Sequence, residues 1–324
     1  MPKVDITGLG ENASDIVLRL KQFPAPDGKV EIHSVATHLG GQIATAIAAT
    51  QTWGLRTRYI GSAGDDASAV LHANEFSRLG TEAHIRSVKA APSRLSYILV
   101  DESTGSRGVL FRRDKRLRLD PRGIEKDWIT RSRSLLMDGE NPDASRRAAR
   151  WARAAGVPVL CDFDSSTPEA DSLLSEVDYP VLSSDLTLHL AREQSHLAAL
   201  PVLMNRYKSQ LMCTTLSEHG ALAWDGKRFW YAASFNVRAV DTTGAGDLFH
   251  AGFAFGLLRN WNWQRVLDFG CAAAGLNCTA EGARGCIGTV RAIERLRKSS
   301  RRHPDSFSAA ELRLAAARAN RQPS

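Results

Sequence analysis

The residues best suited to chemistry in this 324-residue chain fall in one run, DTTGAGDLFHAGF, over positions 241–253. Gly244, Ala245 and Gly246 carry little or no side chain, so an anion can approach their backbone N–H groups closely. The apolar stretch that follows, 248–258, is made of good helix formers and places those N–H groups at a helix N-terminus. Unpaired donors and the positive end of the helix dipole favour negative charge there. Asp247 stands at the same spot. A carboxylate beside a bound phosphate is electrostatically costly, and accepting the proton of an attacking hydroxyl is the chemistry that would give it a purpose. A Gly-rich turn ending in a capping Asp is the alternative for so short a motif.

The run resembles, position by position, the second signature of the ribokinase-like (PfkB) carbohydrate kinases. The resemblance implies that Asp247 is the base that activates a substrate hydroxyl, and that the amides of Gly244, Ala245, Gly246 and Asp247 form an anion hole for the transferred phosphoryl. HLGGQIAT at 38–45 resembles the family's first signature and implies substrate contacts at Gly40, Gly41 and Thr45. Gly54 and the later IGSAGDD at 60–66 fall where the family has LG and GxxGDD. Thr45 replaces the Asn of most members, and a hydroxyl cannot present both halves of an amide. Asp15 matches the family carboxylate that accepts hydrogen bonds from sugar hydroxyls. On the nucleotide side, TTLSEHG at 214–220 resembles the family's T-x-G-x-x-G segment, implying Thr215, Ser217 and Gly220, with Ser217 in place of a usual Gly. Asn277 falls on the helix that lines the adenine pocket in that family. Asp241 and Thr243, with GARGCI at 282–287, resemble a monovalent-cation (K+) site. The family's Asn-x-x-Glu motif is replaced by Ser183, Ser184, Asp185 and Leu186, so Mg2+ is expected mainly on the phosphates of ATP. No GxxxxGK[ST] occurs, which excludes a P-loop mechanism.

Two other motifs point elsewhere. GLGENA at 8–13 copies the dinucleotide fingerprint, but strand-like residues follow it where NAD binding needs a helix. Asp162 and Asp164 resemble the DxD loop of dehalogenase-type phosphatases. Those enzymes carry it on the first strand with a downstream Lys and acidic pair, which are not evident here.

These residues need a frame. Strand patterns over 3–7, 56–60, 134–137, 157–161, 179–182 and 211–214 alternate with helical ones over 41–53, 67–79, 143–155, 168–176, 186–193 and 196–207. Asp225 and Gly226 mark a hairpin between 221–224 and 228–232. Helices are expected over 245–259, 263–280 and 288–298. Strands over 15–20, 29–35, 93–101 and 108–113, with a turn at 102–107, do not belong in a covered parallel sheet. The expected class is therefore α/β: a ribokinase-like three-layer fold with a central, mostly parallel sheet and a small β-sheet lid. Segments 1–12, 39–92 and 114–298 make the nucleotide- and substrate-binding domain, 13–38 and 93–113 the discontinuous lid, and 299–324 a basic C-terminal tail.

Composition bounds the rest. The chain is 43% hydrophobic with a net charge of +7. Residues 291–324 hold nine Lys/Arg against three acids, so six of the seven surplus charges lie in the tail. That distribution suits a solvated extension better than a nucleic-acid surface. A short Ala-rich helix over 308–320 has few large apolar residues with which to dock. No apolar run is long enough to span a membrane, and the N-terminus enters a strand without a leader pattern. Five cysteines without a CxxC pair fit a reduced, cytoplasmic protein. Exposed lid strands invite pairing with a second copy, so a homodimer is expected.

For substrate, Thr45 and the ending over 276–287 look like the ketose-kinase branch that includes sulfofructose kinases. Lys29 falls where those have a sulfonate-facing Lys. Glu140 falls where they carry an Arg and would repel a sulfonate. A neutral ketose is the expected substrate. A nucleoside, or a binding-only sugar or nucleotide sensor, is the alternative.

Overall fold

In the computed structural model, which describes residues 3–104, 107–164, 168–299 and 301–321, Ile6–Leu9 (β1) is buried along its whole length. The chain leaves it not into a helix but into two strands, Ala13–Leu20 (β2) and Ile32–Gly40 (β3). This removes the helix N-terminus that a dinucleotide fingerprint requires. Next come Gln42–Thr52 (α1), Thr57–Ala63 (β4), Ala67–Leu79 (α2) and Glu82–Ser87 (β5). Leu95–Asp101 (β6) and Arg107–Arg112 (β7) follow; the centre of the turn expected at 102–107 lies outside the described residues.

Beyond them run Lys126–Thr130 (α3), Leu135–Asp138 (β8), Pro142–Ala154 (α4), Val159–Phe163 (β9), Ala170–Leu174 (α5) and Tyr179–Ser183 (β10). Ser184–Ala191 (α6), His196–Tyr207 (α7), Met212–Thr215 (β11) and the hairpin Ala221–Trp224 (β12) and Phe229–Ala232 (β13) continue the chain. It closes with Ala245–Leu258 (α8), Trp263–Asn277 (α9), Val290–Arg297 (α10) and Ala309–Ala319 (α11).

Among the described residues, one sheet has nine strands in the order β13-β12-β11-β10-β9-β8-β1-β4-β5. It is parallel except for the two antiparallel pairings of β12. Its strands bury both faces, as a helix-covered parallel sheet must. In β8, Leu136 joins the core shared with α1, α8 and α9, while Leu135 and Met137 join the core under α4, α5 and α7. The second sheet, β3-β2-β6-β7, gathers strands from two separate chain segments. Ile32, Val35, Val109, Leu110 and Phe111 remain exposed on it.

Two expectations are corrected. β5 has no counterpart in the sequence reading, because an edge strand reading EAHIRS carries charge on alternate residues and lacks an apolar stripe. The C-terminal segment is not a free extension. Ser308 and Glu311 form a capping box that starts α11, and Leu312, Ala315, Ala316 and Ala319 pack on the core beside α7.

Candidate active site

Strands add outward from β1 in both directions, through β4 and β5 on one side and β8 to β11 on the other. The crevice beyond the strand ends at such a switch point is where open α/β sheets bind ligands. Asp138, at the end of β8, is fully buried there and accepts hydrogen bonds from the amides of Glu11 (2.6 Å) and Glu140 (3.0 Å). Above it four charges alternate. Arg94 lies 3.1 Å from Glu11 and 3.0 Å from Glu140, and Arg113 lies 3.5 Å and 2.9 Å from the same carboxylates. The two arginines flank β6 and β7, where the chain crosses between the sheets. Glu140 is therefore compensated twice, and the expectation that it repels an anion does not hold as stated.

The 241–253 run does form a turn into a helix. Gly244 adopts a left-handed conformation (φ 75°), and a Cβ there would sit 2.1 Å from the carbonyl oxygen of Ala283. Only glycine fits. The amide of Ala245 already donates to Thr242 O (3.2 Å), and that of Leu248 to Gly244 O (2.9 Å). The expected anion hole thus narrows to the first-turn amides of Gly246 and Asp247, which have no carbonyl four residues back within the helix.

This turn borders two clefts. On one side, a cleft of about 320 Å³ is lined by Asp15, Gly41, Gln42, Thr243, Asp247 and Arg94, among others. Asp15 is 6% exposed, and a Cβ on Gly40 would meet its Oδ2 at 2.4 Å, so that glycine makes room for the carboxylate. On the other side, a cleft of about 540 Å³ is lined by Thr215, Ser217, Gly220, Thr242, Ala245 and Gly246, and closed by Phe235, Val237 and Gly275. Ser217 has φ 53°, the left-handed region where glycine is at ease. Gly220 has φ 96°, and a Cβ there would lie 2.0 Å from Ala232 O.

Burial is the main force raising the Asp247 carboxyl well above the ordinary range. Asp162 and Asp164 add to it, and His250 and Arg284 oppose it. His250, one turn along α8, lies 3.1 Å from Asp162, with its ring nitrogens 2.7 Å from Gly246 O and 3.2 Å from Val181 O. Burial pushes this pair towards neutrality, raising Asp162 and lowering His250. Desolvation also raises Asp15. A carboxylate held in its basic form against such a shift is a strong proton acceptor.

Of the expected residues, Gly40, Gly244, Asp241, Thr45, Asn277 and Lys29 line neither cleft. Thr45 is fully buried, and its hydroxyl accepts from Arg284 Nε (3.3 Å). Asn277 is fully buried too: its amide donates to Thr243 O (2.9 Å) and Ala283 O (3.1 Å) and accepts from Cys286 N (3.2 Å). It braces the loops instead of facing a base. Lys29 lies exposed in the connection between β2 and β3.

Asp241 works similarly to Asn277, accepting from Thr243 N (2.9 Å), Thr243 Oγ1 (2.7 Å) and Gly282 N (2.9 Å). The carboxylate and carbonyl oxygens of this junction are the donor type a hard cation takes. Among the described residues, no cluster of three or more His, Cys, Asp or Glu suits a metal. Sequence reasoning missed Arg284, which joins Glu75, Gly40 O (3.2 Å) and Thr45 beneath the glycine pair. It also missed the charge ring and the Asp162–His250 pair. Their partners lie far apart in sequence, so no spacing could reveal them.

Residues 4–289 match the family model described as pfkB family carbohydrate kinase. An ATP-dependent ribose-1-phosphate kinase of Halopiger xanaduensis is 29% identical over 87% of this chain and 94% of its own length. Mouse ketohexokinase is 25% identical over 89% of this chain and 100% of its own. A crystal structure of an Agrobacterium tumefaciens protein, provisionally assigned as a ribokinase, superposes with a TM-score of 0.85 at 25% identity, covering 91% of this chain and 97% of that one.

Proposed function

The chain belongs to the pfkB family of carbohydrate kinases, phosphotransferases that act on an alcohol group, and from that premise we propose that it carries the γ-phosphate of ATP to a hydroxyl of a small carbohydrate with Asp247 as the base. One observation carries this reading: the first turn of α8 is shared by both clefts, with Gly246 on one side and Asp247 on the other. ATP occupies the cleft of Thr215, Ser217 and Gly220, its terminal phosphate at the helix N-terminus. The sugar occupies the opposite cleft, where Asp15 accepts from its hydroxyls. Asp247 takes the proton of the attacking hydroxyl, and the amides of Gly246 and Asp247 hold the developing charge.

Magnesium on the phosphates would neutralise part of that charge, and the oxygens around Asp241 and Thr243 would hold a monovalent cation. The second sheet acts as a lid, so that the sugar and not water is phosphorylated. Its exposed apolar residues suit a homodimer formed through the lids.

A ketose with a primary hydroxyl is the preferred acceptor. The ketohexokinase relative and the resemblance of the 276–287 ending favour it, while the ribose-1-phosphate kinase relative makes a pentose the competing acceptor. ADP release over a panel of ketoses, ribose, ribose 1-phosphate and adenosine tests this, with phosphorus NMR to identify the ester formed. Turnover of a ketose supports the reading. Turnover confined to adenosine would make the chain a nucleoside kinase, and ligand binding without ADP release would make it a sensor.

A further inference from the structure

The segment beyond the family-matched residues takes part in the larger cleft. Its backbone pairs with 234–236: Asn236 N donates to Arg301 O (2.9 Å) and His303 N to Ser234 O (3.0 Å). Arg302 pins it in three ways. Its guanidinium donates to Ala233 O (2.7 Å) and Asp268 Oδ1 (2.8 Å), and lies 4.2 Å from the centroid of the Phe235 ring. The docking of α11 against α7 anchors the far end. Between these anchors, His303 is half-buried and lines the cleft together with Ser234, Phe235 and Val237.

We propose that residues 301–303 form a strap that completes the nucleotide cleft, and that His303 is a contact for the purine base of ATP. This rests on the reading of that cleft as the nucleotide site. The chemistry suits a base: the same cleft is lined by Ala274, Gly275 and Cys278, which offer small apolar surface, so a planar ring would meet both that surface and an aromatic imidazole. The strap's hydrogen bonds and ring contact go to 233–236 and Asp268, none of which lines the sugar cleft, so its effect should fall on one substrate alone.

The test compares wild type, His303→Ala, His303→Phe and Arg302→Ala by calorimetric titration with ATP and by steady-state kinetics. His303→Ala is expected to weaken ATP binding and raise its KM about tenfold, the scale of one aromatic–base stack, with the sugar KM unchanged. His303→Phe keeps an aromatic face and recovers most of the affinity. Arg302→Ala, which leaves His303 in place but frees the strap, moves the ATP KM in the same direction. A melting curve for each variant guards against a merely unfolded protein. Wild-type ATP affinity in His303→Ala overturns the strap and leaves the kinase reading standing. A wild type that binds no ATP removes the nucleotide-site reading and the strap with it.

Discussion

As the proposed base, Asp247 has to be ionised to take a proton, yet its surroundings oppose ionisation. Burial and the neighbouring carboxyls of Asp162 and Asp164 raise its pKa, against the relief supplied by His250 and Arg284. Activity should therefore climb with pH, because the base is lost as pH falls through the raised pKa. Asp162 raises Asp247 only to the extent that it ionises itself, so replacing it with Asn should move the acidic limb of kcat/KM to lower pH; a profile identical to wild type would show that Asp162 does not tune the base. The 241–253 run was legible because its chemistry is local: small residues, a helix start and a carboxylate within seven positions. Arg284, Asp162 and His250 were not, because each acquires its meaning from partners brought by other strands. Thr45 and Asn277 show the converse. Sequence placed them at the ligands, but each is buried and hydrogen-bonded beneath the clefts.

The clefts depend on backbone geometry at the ends of elements. Ser217 begins a tight turn after β11 in a left-handed conformation that costs an L-residue about 1 kcal/mol relative to glycine. Ser217→Gly should raise stability towards urea by up to that amount, whereas Gly220→Ala should lower it sharply, since its new methyl would collide with Ala232 O. Equal midpoints for the two variants would contradict the geometry. Period-2 and 3.6-residue patterns disclosed most of the central sheet and its helices, because both faces of that sheet are buried. β5 escaped notice since its exposed edge position rewards charge. β3 runs several residues later than its pattern suggested, being half-open to solvent.

At the scale of the whole molecule, the nine-stranded sheet carries the core and the four-stranded sheet is the proposed cover. Arg94, Arg113, Glu11 and Glu140 meet where the chain passes between them. On β7, Leu110 alternates with Val109 and Phe111, which line the smaller cleft, and is 60% exposed on the other face. Leu110→Asp should convert a dimer to a monomer in sedimentation velocity; a wild type that sediments as a monomer would remove the proposed interface. The separate second sheet was readable from strands that interrupt the α/β alternation. The docking of the tail was not, since alanines pack by shape and leave little hydrophobic signal. The central claim is the role of Asp247, and the direct measurement is single-turnover phosphoryl transfer by Asp247→Asn beside calorimetric titration of ATP and sugar. The account predicts that both ligands still bind while transfer slows at least about a hundredfold, the usual loss for a missing general base. Transfer at the wild-type rate with Asn at position 247 would contradict it.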